Sequence, residues 1–177
     1  APAQAQAQEQ AQANGSRMVR ACSVPFEEAG RLLEAAWPGF VSYFHGTPTL
    51  TADEGLRVKV YADYPRFVDG MAEDGVQAPG PGAGGYFDPG GGTAYLYLQP
   101  TVYYTNVLTI HEAAHQFHRR GQSEWRDLPL WYVEGVAEFI SRHDWDGQCV
   151  RLGVRPLLSQ EDFPARALAE IDANGLD

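Results

Sequence analysis

Residues 109–120 read TIHEAAHQFHRR and bring three of the chain's five histidines within eight positions of one another. His111, Glu112 and His115 form H-E-x-x-H. At about 100° per residue, His115 lies about 40° round a helix from His111 and one turn along it, so two imidazoles can converge on one ion. Glu112 projects about 100° from His111, beside the same ion. A hydrolytic zinc site needs this set: two neutral nitrogen ligands and a carboxylate that can take a proton from water. Such a site takes a third protein ligand. Glu134, in LWYVEGVAEF, is the candidate, because the 18 residues between it and His115 suffice for a connector and the first turn of an antiparallel helix. Glu138 lies one turn beyond Glu134 on the same face, where a carboxylate can accept the remaining N–H of a ligand histidine and fix its tautomer. His118 points close to the direction of His111 but two turns along, and reads as a structural residue or a support behind the ligands, not as a ligand.

Those residues need elements to hold them. Residues 24–45 place Phe26, Leu33, Trp37, Phe40 and Phe44 at helical spacing, with Ser23 as N-cap, Pro25 in the first turn, and Pro38 expected to kink or split the helix. LRVKVYA (56–62) alternates β-branched and polar residues, which predicts a strand, and 64–72 predicts a short helix. GGYFD and TAYLYL flank PGGG, the pattern of a hairpin. A helix over about 102–119 carries H-E-x-x-H, and a second over about 130–142 carries Glu134. Gly135 inside that second helix suggests close helix–helix approach, since glycine there costs about 1 kcal/mol relative to alanine. A turn and strand (146–154) and a weak helix (160–172) follow. Tyr103 and Tyr104 read as core aromatics, and Trp131 and Tyr132 as packing under the site. Tyr86, Tyr95 and Tyr97, on the edge hairpin, are the expected substrate-facing side chains. The order of elements predicts an α+β domain, a small mixed sheet with an edge hairpin packed on two helices.

H-E-x-x-H, the 18-residue gap and an aromatic-flanked E-G-x-A-E resemble the gluzincin metallopeptidases, with ligand spacing as in the zinc aminopeptidases. GYFDPGGGTAYLYL, LTIHEAAHQF, LWYVEGVAEF and DWDGQCVRLG are similar, in that order, to an uncharacterised bacterial group of peptidase-MA-like domains, over about residues 57–155. The resemblance implies a zincin-like fold holding one Zn²⁺ on His111, His115 and Glu134. It makes Glu112 the general base and Glu138 the partner of a ligand histidine, and it implies a peptide or protein substrate. Two features depart from the family. The aminopeptidase motif Gly-x-Met-x-Asn, which reads a free substrate amine, is replaced by AGGYFD, so aminopeptidase activity is not implied. After Glu134 there is no tyrosine and His143 is the sole histidine, so the usual oxyanion donor comes from elsewhere or the domain continues past Asp177. A non-catalytic zinc-containing binding module on the same scaffold is the alternative reading.

The bulk numbers bound both readings. The 177 residues, 44% hydrophobic and 12% aromatic, suffice for one globular domain (21–177). A net charge of −10 argues against nucleic acid as partner. No apolar run is long enough for a membrane span. Residues 1–20, rich in Ala and Gln, read as a disordered leader such as remains after signal-peptide cleavage, which points to a secreted or periplasmic location. Asn14-Gly15-Ser16 matches a glycosylation sequon. Cys22 and Cys149, the only cysteines, could pair in that compartment or remain separate buried thiols.

Overall fold

The computed structural model describes residues 19–21, 27–48, 55–122 and 124–154. The leader over 1–18, the sequon, Cys22, the Ser23 cap and the helix expected over 160–172 lie outside the described residues. Eleven elements follow in order. They are β1 (Val19–Ala21), α1 (Glu27–Tyr43), β2 (Leu56–Tyr61), α2 (Tyr64–Glu73), β3 (Gly85–Asp88), β4 (Thr93–Tyr97), α3 (Val102–Gly121), a 3₁₀ turn (Trp125–Asp127), α4 (Leu130–Ser141), β5 (His143–Trp145) and β6 (Val150–Leu152). The described chain is α+β.

Four strands form one mixed sheet in the order β1-β2-β4-β3, with β1, β2 and β4 parallel and β3 antiparallel to β4. β5 and β6 make a separate antiparallel pair. β1 was not expected; it starts inside the stretch read as leader. The β3–β4 hairpin turns through Pro89–Gly92, where the Asp88 carboxylate accepts from the Gly90 and Gly91 amides and Gly92 takes a φ of +66°.

Alternation along β4 sorts its side chains to two faces. Ala94 and Leu96 join Val58 and Val60 of β2 against α3 and α1, in a core completed by Ile110, Ala113, Ala114 and Phe117 of α3 and by Leu33, Ala36, Trp37 and Phe40 of α1. Phe117 is at its centre, its ring 4.8 Å from Trp37 and 5.4 Å from both Phe40 and Phe44. Burial of such a ring stabilises by about 1.5–3 kcal/mol. Tyr95 and Tyr97 take the opposite face and pack on Phe67 and Met71 of α2. Helix α2 starts at Asp63, whose carboxylate accepts from the Arg66 amide at 2.9 Å.

Pro38 neither splits nor ends α1, which runs unbroken through it. Pro38 sits on the exposed face of the helix, while Leu33, Trp37 and Phe40 hold the inner face. No helix of the described residues is long and apolar enough to cross a membrane. Cys149 is exposed and carries no disulfide.

Candidate metal centre

Helix α3 begins where Pro100 stops β4 from continuing, and Thr101 caps it by accepting from the Tyr104 amide at 3.2 Å. Its buried stripe, Val107, Ile110, Ala113, Ala114 and Phe117, keeps the helical repeat and sets the rotation of everything else on it. Gln116 fixes its height on the sheet. The Gln116 carboxamide is fully buried, accepts from the Arg57 amide and donates to the Arg57 carbonyl, both at 2.8 Å, as a neighbouring strand would. With rotation and height set, His111, Glu112 and His115 face a cleft of about 420 Å³.

The cleft has two walls. One is the edge strand β3 through Gly84 to Phe87; the other runs from Trp125 through Leu128 and Leu130 to Val133 and Glu134 at the start of α4. α4 packs on α3 through Val133, Val136, Ala137 and Ile140, and that packing turns Glu134 over the two histidines. His111 Nε2 and His115 Nε2 stand 3.1 Å apart, and Glu134 Oε2 lies 3.4 Å from the first and 3.6 Å from the second. Donors bound tetrahedrally at 2.0–2.1 Å to one zinc ion would be about 3.3 Å apart. The three separations bracket that value, so this donor set fits a single zinc ion. It is the only His/Cys/Asp/Glu group among the described residues that could hold a metal.

Electrostatics agree with the ligand roles. Burial, then the neighbouring His115, pulls His111 below its ordinary pKa and keeps it neutral. The pairing with His115 holds the Glu134 carboxyl below the ordinary carboxylate range against the opposing effect of burial. Glu112 is pushed up to about 8, chiefly by burial and further by the Glu134 carboxylate. Glu138 Oε2 is 4.0 Å from His111 Nδ1, which is an ion-pair separation and not the hydrogen bond expected. Its other oxygen is taken by the Arg142 guanidinium one turn on, which holds the carboxylate toward Arg142.

No family model matches the chain, and no curated protein or solved structure matches it either. The site therefore stands on its geometry.

The structure corrects several expectations around it. Tyr95 and Tyr97 do not face the cleft: both lie on the α2 side of the sheet, where the Tyr95 hydroxyl donates to Asp74 and the Tyr97 ring meets Tyr64. Tyr86 reaches the cleft wall, though its side chain also packs with the α2-side cluster. The site-facing residues of β3 are Phe87, whose ring lies parallel to His115, and Gly85. A Cβ at Gly85 would sit 2.7 Å from Glu112 Oε1, so only glycine leaves room for that carboxylate. The paired glycines at 84 and 85 were the available signal. Gly135 has open space around it and marks no close helix approach. Trp131 and Tyr132 do not pack beneath the site; Trp131 is 76% exposed, because the buried phase of α4 runs through 133, 136, 137 and 140. Tyr104 is likewise exposed.

His118 is structural as expected, buried against Phe44 with its Nε2 bonded to Gln122. His143 is buried on Tyr103, its Nδ1 bonded to the Ser141 carbonyl, and does not line the cleft.

Proposed function

We propose that this chain is a zinc-dependent metallohydrolase, most readily a peptidase of gluzincin type, with His111, His115 and Glu134 holding the ion. One observation carries the reading. Three donors at ligand spacing share a cleft with a buried carboxylate, Glu112, that coordinates nothing in the set. A purely structural ion has no use for such a neighbour.

Zinc at this position would supply Lewis acidity, polarising a substrate carbonyl and acidifying a water. Glu112 accepts the proton of the attacking water and returns it to the leaving amine. Burial and the Glu134 carboxylate raise the Glu112 carboxyl, and the charge of a bound cation would oppose both and favour the carboxylate that a base requires. Phe87, Trp125 and Leu128 give the cleft apolar walls. β3 pairs only with β4 among the described residues, so its outer edge can add an extended peptide by main-chain hydrogen bonds. That edge, more than the hairpin tyrosines, supports a peptide as substrate.

The test is Glu112→Gln. The variant is expected to bind one zinc per chain and to lose zinc-dependent cleavage of a peptide library that the wild-type chain digests. Loss of zinc in the variant would refute the role of Glu112. A wild-type chain that binds zinc but cleaves nothing would favour the binding-module alternative.

A further inference from the structure

The charged groups lining the cleft belong to the His111, Glu112, His115 and Glu134 set, with one exception, Arg126. Arg126 sits mid-way along the 3₁₀ turn Trp125–Asp127. The turn is tied to β3 at its first residue and closed on itself at its last. The Trp125 ring meets Phe87 edge-on at 6.2 Å, and the Leu128 amide donates to the Trp125 carbonyl at 3.3 Å.

Three arginines outside the cleft are held in ion pairs: Arg66 with Asp63, Arg142 with Glu138, and Arg151 with Asp144. Arg126 is not, although Glu124 and Asp127 flank it in sequence; no ion pair or hydrogen bond joins its side chain to a described residue. A guanidinium presents its donors in a planar fork suited to a carboxylate. Exposed at the cleft wall and without a partner of its own, the Arg126 guanidinium is available to an anion bound in the cleft.

The walls say where that anion would lie. A peptide extended along the edge of β3 sends successive side chains to alternate sides, so one side chain or the chain terminus is directed across the cleft to the Arg126 wall. We infer that Arg126 is a specificity-determining residue that reads a substrate carboxylate, from an acidic side chain or a free C-terminus. This rests on the peptidase reading for its peptide, but not for its binding.

The experiment uses the zinc-loaded full chain and matched peptides: free acid against C-terminal amide, and Glu against Gln at each position flanking the cleaved bond. Hydrolysis is followed with wild-type protein, and affinity for the same peptides by fluorescence anisotropy with zinc-loaded Glu112→Gln protein. A charge-assisted pair of this kind implies about a tenfold preference for one carboxylate peptide over its neutral partner, in kcat/KM and in affinity. Arg126→Ala should erase that preference and leave the neutral peptide within about twofold, Arg126→Lys should restore part of it, and Arg126→Glu should reverse it. The pair that shows the effect identifies the source of the carboxylate. A preference that survives Arg126→Ala, or no preference in any pair, overturns the inference. Absence of cleavage together with Arg126-dependent affinity would overturn the peptidase reading instead and leave Arg126 as a carboxylate reader.

Discussion

Gly85→Ala is the smallest change that should disable the chemistry without touching a ligand. Gly85 lies on β3 with a backbone conformation open to any residue, so alanine faces no conformational penalty. The added Cβ would stand 2.7 Å from Glu112 Oε1, 3.0 Å from Cγ and 3.1 Å from Cδ, whereas ordinary contact begins at 3.4 Å. Glu112 must therefore retreat by about 0.7 Å or β3 must move out by as much. The carboxylate is buried with α3 behind it, so it cannot swing into solvent. Misplacing a reacting group by about 1 Å costs on the order of 100-fold in rate, so a loss of about 10-fold to 100-fold in kcat is expected. KM should change little. Zinc stoichiometry should stay at one, since the three atoms nearest the new methyl group all belong to Glu112. The assay pairs steady-state cleavage of one peptide with metal analysis of the same preparation. Full kcat in Gly85→Ala, or loss of its zinc, would refute the account.

Two further outcomes follow from parts remote from the ion. Gln116→Leu keeps the volume but strands the amide and carbonyl of Arg57, so it should cost about 2 kcal/mol or more, read as a lower urea midpoint with unchanged slope; an unchanged midpoint would deny Gln116 its anchoring role. Burial pulls His143 below its ordinary pKa, with the Ser141 carbonyl and Asp144 opposing. The unfolded chain regains a value of about 6.5 and then binds more protons, so the wild-type chain should lose stability relative to His143→Gln as pH falls below about 6.5, by at most about 1.4 kcal/mol per unit. A gap between the two proteins that does not change with pH would refute this.

The His111, His115 and Glu134 cluster was legible because helix geometry lets its members converge. His111 and His115 converge on any straight helix, and Glu134 needed only a connector and a first turn. The hairpin tyrosines were not legible. TAYLYL is apolar on both faces, so period-two alternation names two faces without saying which one meets α3. Gln116 looked like any polar helix residue, for its partner is a backbone 59 positions away. LWYVEGVAEFI is apolar nearly all round, which hid the phase that leaves Trp131 outside. Arg126 carried no signal at all until the fold placed its turn opposite β3.

The edge strand β3 bears on how this protein behaves in a crowd. An open strand edge that can receive a peptide can equally receive the same strand of another copy, the first step of sheet-to-sheet aggregation. β3 is only four residues long and ends at Asp88, whose carboxylate is committed to the turn amides. So short a ledge offers a second copy few main-chain hydrogen bonds, and under the proposed peptidase reading it would offer a substrate equally few, leaving the cleft walls to supply the rest.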